Sequence, residues 1–186
     1  CSAYKFYGPH VSFLYSKPGL LGSLTTDRLV VQDQEAPYII ETGTLNHAAC
    51  SGVASAIDFI SSIGKGSSLR EKLESAYKQI SIHEFELAKH LYDSLQKEDK
   101  ITIIGQDFSS TKRTPTVSFV HSDFSPQDVC KKLASENICA WDGHFYALKA
   151  IQKLGLEQAG GVTRLGVSLY NTKLEIDRVV EVIKNL

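Results

Sequence analysis

Lys5 stands between Tyr4 and Phe6, with Tyr7 and a Gly8-Pro9 turn directly after it. Burial among aromatic rings disfavours an ammonium and lowers its pKa, which leaves a nucleophilic amine able to condense with an aldehyde. The octapeptide Ser2 to Pro9 equally describes a surface lysine laying its stem over the rings while its charge stays in water. A second group is Glu41-Thr42-Gly43-Thr44-Leu45-Asn46, which runs into an apolar stripe at helical spacing. Free N–H groups at a helix entrance, the positive end of the dipole and the Thr44 hydroxyl suit a phosphate, and simple capping by Thr44 is the alternative. Arg164, near the start of a β-prone run, offers a planar fork of donors suited to a carboxylate, or to a structural ion pair. His144, after Trp141-Asp142-Gly143, offers an acid, a base or a structural hydrogen bond.

The elements that must position these groups read as follows. Val11 to Tyr15 is a short β-prone run broken at Pro18-Gly19, and residues 20 to 40 read as connection with extended pieces at 28–31 and 38–40. Ala49, Val53, Ala56, Ile57, Ile60 and Ile63 mark a helix that Gly64 closes as a C′ residue. Leu69, Leu73, Tyr77, Ile80, Leu87, Leu91 and Leu95 mark a long amphipathic helix, with His83 read as solvated. From Lys100 the pattern alternates: strands at 101–105 and 116–120 separated by a polar surface turn from Asp107 to Arg113, and a helix capped by Ser125 with Pro126 at its first position. There follow a buried strand at 137–141, a helix carrying Tyr146, Leu148, Ile151 and Leu154, a strand from Val162 to Leu169, and a last helix opened by the capping box Thr172-x-x-Glu175. Residues 100 to 186 thus form an α/β unit of about four strands and three helices.

Composition narrows the partners. Basic and acidic residues nearly balance at a net charge of -1, which gives no reason to expect nucleic acid or a membrane surface as partner. Cys1, Cys50, Cys130 and Cys139 lie far apart without metal-ligand spacing, so no metal is expected and the thiols read as buried and free, as in the reducing cytoplasm. No apolar run approaches a membrane span and no signal peptide is visible. The chain begins with Cys1 and contains no Met, as a piece of a longer protein would.

Taken together, the segments 2–9, 41–46 and Arg164-x5-Tyr170-Asn171-Thr172 resemble the class V aminotransferase and cysteine desulfurase family of pyridoxal-phosphate enzymes of fold type I. The stretch Trp141 to His144 is similar to the cysteine desulfurase-like branch. The resemblance implies that Lys5 is the Schiff-base lysine, which also moves the substrate Cα proton, and that Ser2 contacts the pyridoxal 5'-phosphate from the same turn. Gly43 and Thr44 match the segment that reaches the phosphate of the partner's cofactor across a homodimer interface, and Arg164 matches the arginine that holds the substrate α-carboxylate. His144 would be an additional acid or base.

Two departures follow from the same comparison. Tyr4 stands where many relatives have a histidine, and Tyr146 stands where desulfurases of the nearest subgroup place a nucleophilic cysteine. A phenol cannot accept sulfur as a persulfide, and Cys139 reads as a core thiol, so C–S lyase, epimerase or transaminase chemistry on a small amino acid is expected instead. The resemblance further implies three parts: 1–66, the end of a large cofactor-binding domain; 67–99, a linking helix; and 100–186, a small α/β domain with a mostly antiparallel sheet and flanking helices. Such a piece alone is expected to be inactive. The competing reading is a non-catalytic α/β dimerisation or interaction module derived from this family.

Overall fold

The computed structural model describes residues 1–109 and 113–186, so the middle of the expected surface turn at 107–113 lies outside the described residues. By its internal contacts the chain divides into two units, Cys1–Tyr77 and Lys78–Leu186, and the division falls inside a helix.

In the second unit a four-stranded sheet holds β1 (Ile101–Ile104), β2 (Thr116–His121), β3 (Trp141–Gly143) and β4 (Val162–Gly166). Their spatial order is β1-β2-β4-β3, and all three pairings are antiparallel. Alternation along β2 buries Val117, Phe119 and His121 and leaves Thr116, Ser118 and Val120 half-buried on the other face, as a period of two requires. Onto the buried face pack α2 (Leu69–Leu95), α3 (Pro126–Ser135) and α5 (Lys173–Lys184), while α4 (Leu148–Lys153) is short. Leu87, Leu91 and Leu95 of α2, Val129 and Leu133 of α3, and Ile176, Val179, Val180 and Ile183 of α5 meet Val117, Phe119, Leu165 and Val167 in one core. Each set repeats at three or four residues, the stripe that a helix must turn toward a sheet. The caps sit where the local sequence demands them: the Ser125 hydroxyl accepts from the Asp128 N–H, and Thr172 and Glu175 close a reciprocal capping box.

The first unit is built around α1 (His47–Ile63) and the first turns of α2. Gly64 ends α1 with φ −93°, extended backbone rather than the left-handed C′ conformation expected of it. Its reason is space: a Cβ there would lie 1.9 Å from the Lys72 carbonyl oxygen and 2.7 Å from the Ala76 nitrogen. Ala3, Ile39, Ala49, Val53, Ala56, Ile60 and Ala76 are the buried apolar residues of this unit.

Several expectations are corrected. Residues 11–15 form no strand; the segment makes one isolated bridge, Ser12 to Ser2, because the backbone alongside it is only the short stretch 1–3, which turns into the 3-10 helix at Ala3. Residues 28–31 and 38–40 are turns and irregular backbone, although Ile39 is buried. The strand expected at 137–141 begins only at Trp141, since Asn137 takes the left-handed conformation at φ 58°. Tyr146 lies before α4 instead of within it and is fully exposed. The thiols are not buried: Cys1, Cys50 and Cys139 are exposed and Cys130 is half-buried. His83 is not simply solvated, because its Nε2 lies 3.0 Å from the Asn171 carbonyl oxygen in a part-buried contact. Among the described residues no helix is long and apolar enough to cross a membrane.

Candidate functional site

Lys5 lies in a single turn of 3-10 helix, Ala3–Phe6. The turn closes on itself: the Lys5 N–H donates to the Ser2 carbonyl at 3.1 Å and the Gly8 N–H to the Ala3 carbonyl at 2.9 Å. Ala3 is fully buried at its centre, and a Cβ on Gly8 would come within 2.9 Å of the Ala3 Cβ. The Cys1 and Phe13 backbones exchange hydrogen bonds at 2.8 and 2.7 Å and hold the segment's ends together. Tyr4 stacks on His10 with ring centroids 5.1 Å apart, and the Lys5 Nζ lies 5.7 Å from the Tyr4 centroid. The aromatic neighbours therefore flank Lys5 without covering it. Its side chain is exposed, so the burial that the flanking rings suggested is absent from this chain, and among the described residues it enters no ion pair.

Gly43 and Thr44 precede α1 instead of opening it. The N-cap is Asn46, whose side chain accepts from the Ala49 N–H at 3.0 Å. This overturns both forms of the helix-entrance expectation, since Thr44 neither caps the helix nor sits at its first N–H groups. Thr44 and Gly43 are exposed on irregular backbone.

In the second unit Arg164 lies mid-way along β4, on the sheet face opposite the core. The register sets it in one row across all four strands: Ile104 beside Ser118, Ser118 beside Arg164, and Arg164 beside Trp141. Its guanidinium carbon stands 3.9 Å from the centroid of the Phe145 ring. Among the described residues no carboxylate forms an ion pair with it, so the structural ion pair does not describe this arginine. Asp142, which follows Arg164's cross-strand partner Trp141, pairs with Thr163 and belongs to the other face. There burial first, and then the negative charge of Asp142, push the Cys130 thiol up to about 11.

The loop after β3 brings Phe145 to Arg164. Gly143 and Gly161 pass so closely that a Cβ on Gly161 would fall 2.2 Å from the Gly143 carbonyl oxygen, and both have positive φ, 113° and 98°. Phe145 and Tyr146 follow in the left-handed region at φ 50° and 61°, an uncommon pair for aromatic residues. The Tyr146 N–H donates to His144 Nδ1 at 3.1 Å, a hydrogen bond that holds the ring within the loop. Phe145 was missed in the sequence because no local spacing ties it to Arg164; the link is the strand register, for which adjacent glycines at 160–161 and Gly143 are the legible sign.

The donor set fits pyridoxal 5'-phosphate in part: an exposed primary amine that has no ion-pair partner among the described residues, for the aldehyde, and a serine in the same turn for the phosphate.

A model of the family described as aminotransferase class-V matches residues 1–179. A probable cysteine desulfurase of Methanothermobacter thermautotrophicus is 27% identical over 169 residues, covering 90% of this chain and 38% of that protein. Another from Halalkalibacterium halodurans is 29% identical over 192 residues, covering 97% of this chain and 43% of that protein. The solved structure of the cysteine desulfurase CsdA from Escherichia coli, 22% identical, superposes with a TM-score of 0.77 over 99% of this chain and 44% of its own. At that identity the likeness is one of fold. The chain spans less than half the length of each of these proteins.

Proposed function

Because this chain belongs to the class V aminotransferase family, we propose that it is the C-terminal portion of a pyridoxal-phosphate enzyme, cysteine desulfurase-like, that acts on a small amino acid. In this reading residues 1–66 end the large cofactor-binding domain, 67–99 form the linking helix and 100–186 the small domain. The observation that carries the reading is Arg164: an exposed guanidinium, stacked on one ring, with its N–H edge left for an external carboxylate. Arg164 binds the α-carboxylate through that fork. The Lys5 amine holds the cofactor aldehyde and moves the proton at the substrate Cα, while Ser2 binds the phosphate. Pyridoxal phosphate supplies the electron sink that stabilises a carbanion. Gly43 and Thr44, which precede α1 on exposed irregular backbone, reach the phosphate of the partner's cofactor in a cytoplasmic homodimer. Tyr146, in place of a thiol, favours lyase, epimerase or transaminase chemistry over persulfide formation at that position, although Cys139, seven residues earlier, is exposed rather than a core thiol.

The test uses the full-length protein with added cofactor. Wild type is expected to show a visible absorbance band that borohydride removes, and Lys5→Ala to lack it. A Lys5→Ala protein with the band at full strength would show that another amine holds the cofactor.

A further inference from the structure

Phe145 has a backbone conformation that costs free energy and a ring that rests on a cation. Left-handed φ in a non-glycine residue persists only where the surroundings over-determine it. Here two such residues follow one another, 145 and 146, and the contact that the first one makes is with Arg164 at 3.9 Å. An aromatic ring against a guanidinium face is attractive and restricts the plane to lie along the ring. With one face covered, the in-plane N–H edge is what remains for a ligand, and a bidentate carboxylate needs that edge. Arg164 has no carboxylate partner among the described residues to hold it otherwise. Its cross-strand neighbours Ser118 and Trp141 flank it along the sheet row.

From this arrangement we infer that Phe145 is a positioning residue for carboxylate recognition, holding the Arg164 guanidinium edge-on to the substrate. The inference rests on the reading of Arg164 as the carboxylate-binding residue. It adds that the loop from Gly143 to Tyr146 is a working part of substrate binding even though it carries no thiol. The loop's contribution is orientation, so it acts through Arg164 and has none without it.

Two measurements test this. In the full chain with labelled arginine side chains, ring current is expected to move the Arg164 δ-proton and Nε–H resonances upfield; Phe145→Leu removes that shift and Phe145→Tyr keeps it. Resonances at ordinary positions, or unmoved by Phe145→Leu, overturn the stacking. In the full-length enzyme Phe145→Leu is expected to raise KM for the amino acid about two- to fivefold, the range of an exposed cation–π contact. The change in kcat is smaller, and Phe145→Tyr restores KM. Arg164→Ala separates the two ideas. If it leaves KM unchanged, the carboxylate reading itself is wrong. If it raises KM while Phe145→Leu does not, only the positioning role falls. In the Arg164→Ala background Phe145→Leu must have no further effect on KM, and an equal effect there would mean that the ring acts by some other route. Should Phe145→Leu lower the melting temperature, Phe145→Met, also non-aromatic, replaces it in the same cycle.

Discussion

At the scale of single residues, the sheet separates two chemistries by alternation alone. Arg164 faces outward with Trp141, whereas Asp142 pairs with buried Thr163 on the core side, and both interact with Cys130. A carboxylate two side chains from an arginine would ordinarily neutralise it; here the pleat puts them on opposite faces, and Asp142 acts on a thiol instead. The Cys130 thiol, ordinarily near 9, stands at about 11, through burial and then the charge of Asp142. The folded state therefore keeps a proton that the unfolded chain has lost, so stability is unaffected below about pH 9 and falls as pH rises toward about 11. Cys130→Ala should remove that component. Urea unfolding from pH 8 to 11 would show the gap between wild type and variant changing only above about pH 9, the wild type losing ground as pH rises. A constant gap would mean that the thiol titrates alike in both states. The same shift makes Cys130 a poor nucleophile near neutral pH.

At the scale of elements, Asn46 and not Thr44 caps α1. The Asn46 side chain caps α1 through the Ala49 N–H, so Asn46→Ala is expected to destabilise the chain by about 0.5–2 kcal/mol in thermal or urea unfolding. Thr44→Ala, at an exposed position on irregular backbone, should stay within about 0.5 kcal/mol of wild type. A larger loss for Thr44→Ala than for Asn46→Ala would reverse the assignment. Helices were largely legible because their signals are local: a stripe every three or four residues, Ser125 before Pro126, and Thr172 with Glu175. Strands were less so because a strand exists only where a partner lies beside it. Residues 11–15 have the composition of a strand and make a single bridge, while Ile138 to Ala140 look like one and give way to a three-residue strand from Trp141. The candidate site divides along the same line. Lys5, Ser2, Gly43, Thr44 and Arg164 enter the candidate site through motif resemblance, whereas the Phe145 contact depends on register. The exposure of Lys5 was misread because flanking rings do not by themselves imply burial.

At the scale of the whole molecule, the two units differ in how much they bury. The second has one contiguous core drawn from α2, α3, α5 and three of its strands and their flanks. In the first, residues 13 to 45 have only one short 3-10 turn, Leu21–Ser23, among the described elements. Leu14, Tyr15, Val30 and Val31 there are 76%, 84%, 98% and 95% exposed. Apolar side chains so exposed contribute little of the roughly 1.5–3 kcal/mol that full burial of each would give. Local opening in such a segment needs little free energy, whereas opening β2 or α5 requires breaking the core, at close to the global stability. Amide hydrogen exchange on this chain should therefore find residues 13 to 45 exchanging about a hundredfold or more faster than Val117 to Phe119 and Ile176 to Ile183. The proposed parent enzyme adds the condition that decides the matter. If the remaining length of such a protein covers these side chains, protection of residues 13 to 45 must rise in the full-length protein while that of β2 and α5 changes little. Equal protection of residues 13 to 45 in both would mean that their exposure belongs to this segment itself, and that the apolar surface faces something other than the rest of its own enzyme.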